Sequence, residues 1–231
     1  HLIDGAVPEI RGNNTYTWTV PDDITPDDRV KVKVSLPGDS EIYDDSIGFK
    51  ILSEIVVIAP IGGERWVTNE VKTISWTYTG TVPYFTIQYS KDEFVSDIHA
   101  ITTVAAGSIP GISDYAWTIP DDKNENVKIR VCDTRDWTVN QQNLTAYGQS
   151  PNRFKIDYYY ITFNVLDDLT LMHLTALTFK DVISGYTEFP VTSPKTKGYP
   201  YGVCNIMIYR ANYAEGNKDF IANADKVFTI K

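Results

Sequence analysis

The sequence has few of the residues from which catalytic and metal sites are usually built. Its 231 residues include only 2 cysteines and 3 histidines, and no histidine stands at zinc-ligand spacing from another histidine or a cysteine. Gly-x-Ser-x-Gly, Walker and Gly-x-Gly-x-x-Gly motifs are also missing. We therefore expect no enzyme activity, no catalytic residues and no cofactor-binding residues in this sequence.

Long apolar runs are missing as well. The longest, from Ile55 to Ile61, has the length of one strand and contains a proline, whereas a membrane-spanning helix needs about 20 apolar residues. The formal net charge of −9 gives the chain no electrostatic attraction to phosphate backbones or anionic lipid. These features argue against nucleic acid as a partner and against membrane insertion of this part of the chain.

The two cysteines do not define a disulfide framework. Cys132 and Cys204 are 72 residues apart and fall in what we predict to be different domains. Buried free thiols are therefore the expected state of both, with a bond to another chain as the alternative.

The residues that are abundant favour β-structure. Aromatic residues make up 13% of the chain, and threonine, valine and isoleucine are common while methionine is scarce. These residue types suit a pleated, half-buried surface. Since no stretch has a helical period of useful length, the composition predicts an all-β protein.

An internal repeat divides the chain. The segment Thr15–Asp23 (TYTWTVPDD) returns 99 residues later as Asp114–Asp122 (DYAWTIPDD). Each copy alternates apolar with small or polar residues, which predicts a strand with one buried face, and the proline ends that strand. A similar strand, Gly48–Ile51 or Arg153–Ile156, closes each copy. A repeat of about 100 residues matches one immunoglobulin-like sandwich.

The repeat predicts tandem β-sandwich modules with short linkers. Residues 1–52 correspond to the C-terminal half of a module, and residues 54–157 form one complete module. Residues 134–148 are an insertion present only in the second copy. Residues 158–231 do not continue the repeat and are predicted to form a separate small β-sandwich.

The complete module resembles a family of bacterial and fungal cell-surface repeats with an immunoglobulin-like or fibronectin-like fold. The matching residues are the Pro-x-Gly-Gly-Glu-x-Trp segment Pro60–Trp66, the Ile-x-Trp segment Ile74–Trp76, the strand Ile87–Ser90, and the segments Tyr115–Pro120 and Phe154–Ile156. Modules of this family occur in tandem within long secreted, cell-wall or surface-layer proteins. The resemblance therefore implies an extracellular or cell-surface location.

The last segment resembles the small transthyretin-like sandwich known as the carboxypeptidase regulatory-like domain. Val165-Leu166-Asp167 and Tyr209–Tyr213 carry this resemblance, with Asn212 in place of the usual glycine. We predict four strands here: 159–168, 174–179, 204–209 and 226–230. Such domains act as spacers and docking modules in that family.

Pairs of aspartates follow several of the predicted strands. Calcium takes oxygen ligands near turns, which makes Asp22, Asp23, Asp121 and Asp122 the calcium candidates of this sequence. None of these pairs has EF-hand spacing, and aspartates also serve as turn formers and surface charge. The main expectation is therefore no metal site, with calcium as the alternative.

Four aromatic residues are the candidate interface. Tyr158, Tyr159 and Tyr160 stand at a predicted domain boundary, where they would pack one module on the next. Stacking on a glycan is the alternative role for them. Trp137 belongs to the insertion at 134–148, which as a long extra loop is the best candidate for a contact surface.

The tandem sandwiches and the missing catalytic motifs predict a structural role. We expect a stalk, filament or surface-layer subunit that assembles with copies of itself or with other surface proteins. The alternative is an adhesin, or a carbohydrate-binding accessory region of a secreted polysaccharide-acting enzyme, with a glycan as its partner.

Overall fold

The computed structural model describes residues 3, 12–22, 25–107, 111–136, 146–167, 170–175, 177–210 and 216–230. This part of the chain is all-β, with one short 3-10 helix at Thr134–Asp136 and no α-helix. None of its helical residues forms a span long and apolar enough to cross a membrane. The strands are β1 Thr25–Val30, β2 Lys33–Leu36, β3 Asp39–Asp45, β4 Phe49–Ile51, β5 Ile55–Ala59, β6 Arg65–Val67, β7 Val71–Tyr78, β8 Tyr84–Ser90, β9 Ile98–Ala105, β10 Ile112–Thr118, β11 Asn124–Asp133, β12 Tyr147–Gln149, β13 Phe154–Asp157, β14 Tyr159–Val165, β15 Leu177–Asp181, β16 Thr187–Val191, β17 Lys195–Tyr199, β18 Gly202–Tyr209, β19 Gly216–Ala222 and β20 Lys226–Ile230.

Strands β5 to β13 form a sandwich of two sheets. Strands β10, β7 and β5 form one sheet in that order, and β6, β13, β11, β8 and β9 form the other, with β12 also beside β11. Neighbours are antiparallel except β6 and β13, which run parallel and place Trp66 beside Ile156. The antiparallel pair of β7 and β10 sets Ile74 opposite Tyr115.

The core of this sandwich comes from the alternating apolar residues of both sheets. Along β7, Ile74 and Trp76 are buried while the residues between them are more exposed. Trp66 packs against Trp117 and Phe154, with ring centroids 6.1 and 4.7 Å away. Trp66 and Trp117 are therefore core residues of the complete module.

The turn at Pro60–Trp66 is stabilised by its own glutamate. The Glu64 carboxylate accepts the N–H groups of Ile61 at 2.8 Å and of Gly62 at 2.6 Å. Gly62 has φ of 104°, and a Cβ built there would come within 2.2 Å of Asn152. Both the backbone conformation and the close approach require glycine at this position.

Strands β14 to β20 form a second sandwich. One sheet has the order β17-β14-β20, with β14 and β20 parallel, and the other has the order β16-β15-β18-β19. Phe163, Phe179, Ile206 and Phe220 lie in its core. Strands β16, β17 and β19 were not predicted, because sequences such as Lys195–Tyr199 (KTKGY) lack the alternation of a half-buried strand.

The N-terminal region forms two small pieces of sheet. Strand β1 pairs with β4, and β2 pairs with β3. Apolar residues of the β2–β3 hairpin are exposed, including Val34 at 70% and Ile42 at 56%. In the complete module, by contrast, Val131 of β11 is fully buried.

The prediction of a strand at Thr15–Val20 is wrong. Residues 13–21 have no strand, and Tyr16 and Val20 are exposed. The equivalent segment of the complete module is β10, which pairs with β7 along its whole length. No described strand lies beside the first copy, so its backbone has no ladder to join.

We expect Ile74→Ala to destabilise the complete module by about 2–5 kcal/mol, because it leaves a cavity between the two sheets. Ile74 is fully buried, whereas Val71 on the same strand is 62% exposed. Val71→Ala is therefore the control. Urea unfolding followed by tryptophan fluorescence measures both, and equal effects of the two substitutions would contradict this core assignment.

Candidate functional site at the junction of the two sandwiches

The two sandwiches are joined by a connection of one residue. Strand β13 ends at Asp157 and β14 begins at Tyr159, so only Tyr158 separates them. One residue spans at most about 3.6 Å, which is too short for a flexible tether. The facing ends of the two sandwiches therefore meet, and the residues at this junction are the candidate site.

Arg65 is a cation that connects the two sandwiches. It stands on β6, and its Nη1 and Nη2 donate to Asp225 Oδ2 and Oδ1 at 2.9 and 3.0 Å. Asp225 directly precedes β20, and its Oδ1 also accepts the Tyr160 N–H at 2.7 Å. Arg65 Nη2 donates further to the carbonyl of Tyr158. The planar guanidinium suits this arrangement, because two parallel N–H groups meet two carboxylate oxygens.

Asp157 is a buried carboxylate at the end of β13. Its side chain is only 4% exposed, and three cations surround it: Lys123 at 3.1 Å, Arg65 at 3.4 Å and Lys155 at 3.5 Å. The Tyr160 hydroxyl donates to Asp157 Oδ1 at 2.9 Å. A carboxylate this deeply buried needs such partners, since an unpaired buried charge is strongly destabilising.

Both carboxylates of the junction are held in the ionised form. Burial opposes ionisation of Asp157, but hydrogen bonds from Tyr158 and Tyr160 and the charge of Lys123 lower its pKa to about 2. The hydrogen bond from Arg65 lowers the pKa of Asp225. Both carboxylates therefore stay ionised at a pH below the ordinary aspartate pKa of 3.8.

The predicted interface residues Tyr158, Tyr159 and Tyr160 all lie at this junction, each of them half-buried. The Tyr158 hydroxyl donates to Asp121, and the Tyr159 hydroxyl donates to Glu70. The hydrogen bond to Asp121, together with burial, raises the pKa of Tyr158 to about 12. Burial and the hydrogen bond to Glu70 raise the pKa of Tyr159 to about 12.

Backbone and ring contacts add to the ion pairs. The Tyr201 N–H of the C-terminal sandwich donates to the Thr68 carbonyl of the complete module at 2.8 Å. The Tyr158 ring lies against Gly198 of β17, where a Cβ would come within 2.9 Å of the ring. The connecting residue is thus packed on the sandwich that follows it.

The two aspartates of the second Pro-Asp-Asp turn have different partners. Asp121 accepts the Tyr158 hydroxyl at 2.5 Å. Asp122 accepts the Tyr89 hydroxyl and Lys91 Nζ, each at 2.9 Å. The charge of Lys91 therefore stands beside a carboxylate that the sequence suggested for calcium.

In the first Pro-Asp-Asp turn, Asp22 accepts hydrogen bonds from the Thr81 N–H at 2.7 Å and the Thr81 hydroxyl at 2.6 Å. Asp23 and the interface candidate Trp137 lie outside the described residues. Within the described ranges, no group of three or more histidine, cysteine or acidic residues is placed to hold a metal ion.

Both cysteines are buried, and they are not joined to each other. Cys132 lies on β11 and Cys204 on β18, so the two thiols belong to different sandwiches.

The charged residues of the junction were missed by the sequence reasoning. Arg65 occupies a variable position of the Pro-x-Gly-Gly-Glu-x-Trp motif, and Asp225 lies 160 residues further on. One signal was present: Asp157 follows an apolar strand and leads into the tyrosine run with no glycine or proline between. A charged residue at such a direct strand-to-strand connection indicates an interface with a charged partner.

No family model matches the chain, and no curated protein matches it. Solved structures give distant similarities. Superoxide reductase (neelaredoxin) from Ignicoccus hospitalis aligns over 46% of this chain and 81% of its own, with 7% identity and a TM-score of 0.29. The fibronectin(III)-like modules of Clostridium thermocellum CbhA align over 74% and 94%, with 10% identity and a TM-score of 0.26.

BcpA, the major pilin subunit of Bacillus cereus, aligns over 87% of this chain and 77% of its own, with 9% identity and a TM-score of 0.30. At such values these similarities say nothing about ligand or activity. The class of protein follows from the strands themselves. The chain is an all-β protein of tandem immunoglobulin-like sandwich modules with short linkers.

We expect the folded chain to lose stability as the pH falls from about 4 to about 2. The pKa of Asp157 is lowered in the folded state, so its contribution is present above the ordinary pKa of 3.8 and is lost as the pH approaches about 2. The loss is on the order of 2 kcal/mol for this group. Thermal unfolding at a series of pH values measures it.

In the Asp157→Asn variant this part of the pH dependence disappears, whereas it persists in Asp114→Asn, which alters an exposed aspartate of β10. An Asp157→Asn variant with the pH profile of the parent protein would show that Asp157 is not held ionised by the junction.

We expect Arg65→Lys to destabilise the chain by about 1–3 kcal/mol, because an ammonium group cannot make both hydrogen bonds to Asp225 and also reach Tyr158. The control is Arg153→Lys, since Arg153 is 52% exposed and pairs with Glu93 within the same sandwich. Differential scanning calorimetry compares the two. A larger loss in Arg153→Lys than in Arg65→Lys would contradict the role of Arg65.

Proposed function

We propose that the chain is a non-enzymatic structural part of a large extracellular or cell-surface protein. In this role it forms a stalk, a filament or a surface-layer subunit that assembles with copies of itself or with other surface proteins, and it needs no cofactor. The tandem sandwiches and the resemblance of Pro60–Trp66 and the segments after it to cell-surface repeats support this proposal.

The observation that carries the proposal is the interlocked junction. One sandwich is fixed against the next by three features: a one-residue connection, the two hydrogen bonds from Arg65 to Asp225, and the buried Asp157 with its ion pairs. A flexible chain of binding modules does not need a fixed orientation between its modules, whereas a load-bearing or lattice-forming rod depends on it. Stiffness along the array is the property that this arrangement provides.

Exposed apolar rows on the outer faces of both sandwiches support contacts between copies. Val56 of β5 and Ile112 of β10 both lie opposite Thr77 and are 47% and 70% exposed. On the second sandwich, Val203 lies opposite Ile221, and they are 69% and 51% exposed. Rows of this kind on two successive modules suit lateral packing of one array against another.

The alternative of an adhesin or carbohydrate-binding accessory region draws less support from these contacts. Tyr158, Tyr159 and Tyr160 use their hydroxyls at the junction, and Trp66 is in the core with 7% exposure. These four aromatic side chains are therefore engaged in contacts within the protein.

Electron microscopy of the full-length protein in its native surface or secreted form tests the proposal. We expect a regular lattice or filament that survives a calcium chelator, because Asp22, Asp121 and Asp122 already accept hydrogen bonds from protein donors. Loss of order on chelation would instead support the calcium alternative. Isolated, flexible particles with no contacts between copies would overturn the structural role.

A further inference from the structure

The Pro-Asp-Asp turn occurs twice in the chain, and in both copies its first aspartate contacts the module that follows. In the first copy, Asp22 Oδ1 accepts the Thr81 N–H at 2.7 Å and Oδ2 accepts the Thr81 hydroxyl at 2.6 Å. Thr81 lies between β7 and β8 of the complete module. The Thr81 carbonyl accepts a hydrogen bond from Arg135 Nη2 at 2.7 Å. This bond stabilises the turn that contains Thr81.

In the second copy, Asp121 accepts the hydroxyl of Tyr158. Tyr158 is the connecting residue, and its ring packs against Gly198 of the C-terminal sandwich. The Tyr158 ring thus packs on the C-terminal sandwich, while its hydroxyl donates to the turn of the preceding module. Asp22 and Asp121 are 99 residues apart, which is the offset of the repeat.

In the second copy, the second aspartate has different partners. Asp122 accepts the Tyr89 hydroxyl and Lys91 Nζ, both in its own module. The hydrogen bonds across the two junctions are accepted by Asp22 and Asp121, the first aspartate of each turn. In the second copy, Pro120 follows strand β10, so the Asp121 carboxylate lies at the end of the sandwich that faces the next module.

We propose that the first aspartate of each Pro-Asp-Asp turn is the docking residue by which a module holds its successor, with a side-chain hydroxyl of that successor as the partner it accepts. This inference rests on the proposed structural function, because it concerns the orientation of modules within the array. The partner chemistry is a hydroxyl, from threonine at one junction and from tyrosine at the other.

Distances between paired spin labels in the full chain test the proposal. Cysteines introduced at the exposed positions Glu41 and Ala105 span the first junction, and cysteines at Ala105 and Thr187 span the second. The parent protein, whose Cys132 and Cys204 are buried, serves as the labelling blank. Narrow distance distributions are expected for the parent pairs at both junctions.

At the first junction, we expect Asp22→Ala to abolish the narrow distribution, because it removes both hydrogen bonds to Thr81. Thr81→Val removes the hydroxyl but keeps the branched shape of the side chain. We expect it to broaden the distance distribution as well. The matched control is Asp45→Ala, which removes an equal charge from an exposed position of β3. Asp45→Ala is expected to leave the distribution narrow.

At the second junction, Asp121→Ala and Tyr158→Phe are expected to broaden the distribution by less, since Arg65 and Asp157 remain in place. Asp114→Ala on β10 is the control there. Narrow parent distributions that Asp22→Ala leaves unchanged would falsify the docking role alone. Broad parent distributions at both junctions would overturn the proposed stiff array itself, so the two failures are distinguishable.

Discussion

The structure depends on one buried carboxylate. Asp157 ends the last strand of one sandwich, and the chain enters the next sandwich after a single residue. At 4% exposure its charge has to be balanced by protein groups, and Lys123, Arg65 and Lys155 supply that balance. Arg65 also binds Asp225 of the following sandwich. The same arginine that balances the charge of Asp157 therefore fixes the second module in place.

A charged junction sets an orientation that an apolar one would leave open. Two apolar surfaces can slide past each other at little cost, whereas the two hydrogen bonds from Arg65 to Asp225 form in one geometry only. Buried ion pairs add little net stability compared with apolar packing, and their best-supported role is to specify one arrangement. For an array of modules, a single arrangement at each junction is what turns separate domains into a rod.

The sequence predicted the sandwich cores well and the junction only in part. Trp76 and Trp117 form core contacts because buried and more exposed residues alternate around them in β7 and β10, which a sequence pattern reveals directly. The tyrosine run marked the boundary by its position. Arg65 and Asp225 could not be paired from the sequence, since they are 160 residues apart and neither stands in an unusual local pattern. Strands such as β17 were missed because their own residues show no strand pattern. They are strands because they pair with neighbouring strands of the sheet.

If the junction holds the two sandwiches together, they move as one body in solution. Backbone ¹⁵N relaxation of the full chain in dilute solution tests it directly, because each module reports its own rotational correlation time. We expect one shared, anisotropic tumbling for residues of β5 to β13 and of β14 to β20. Two separate and shorter correlation times would contradict it, and the junction of Arg65, Asp157 and Asp225 would then not hold the modules together in solution.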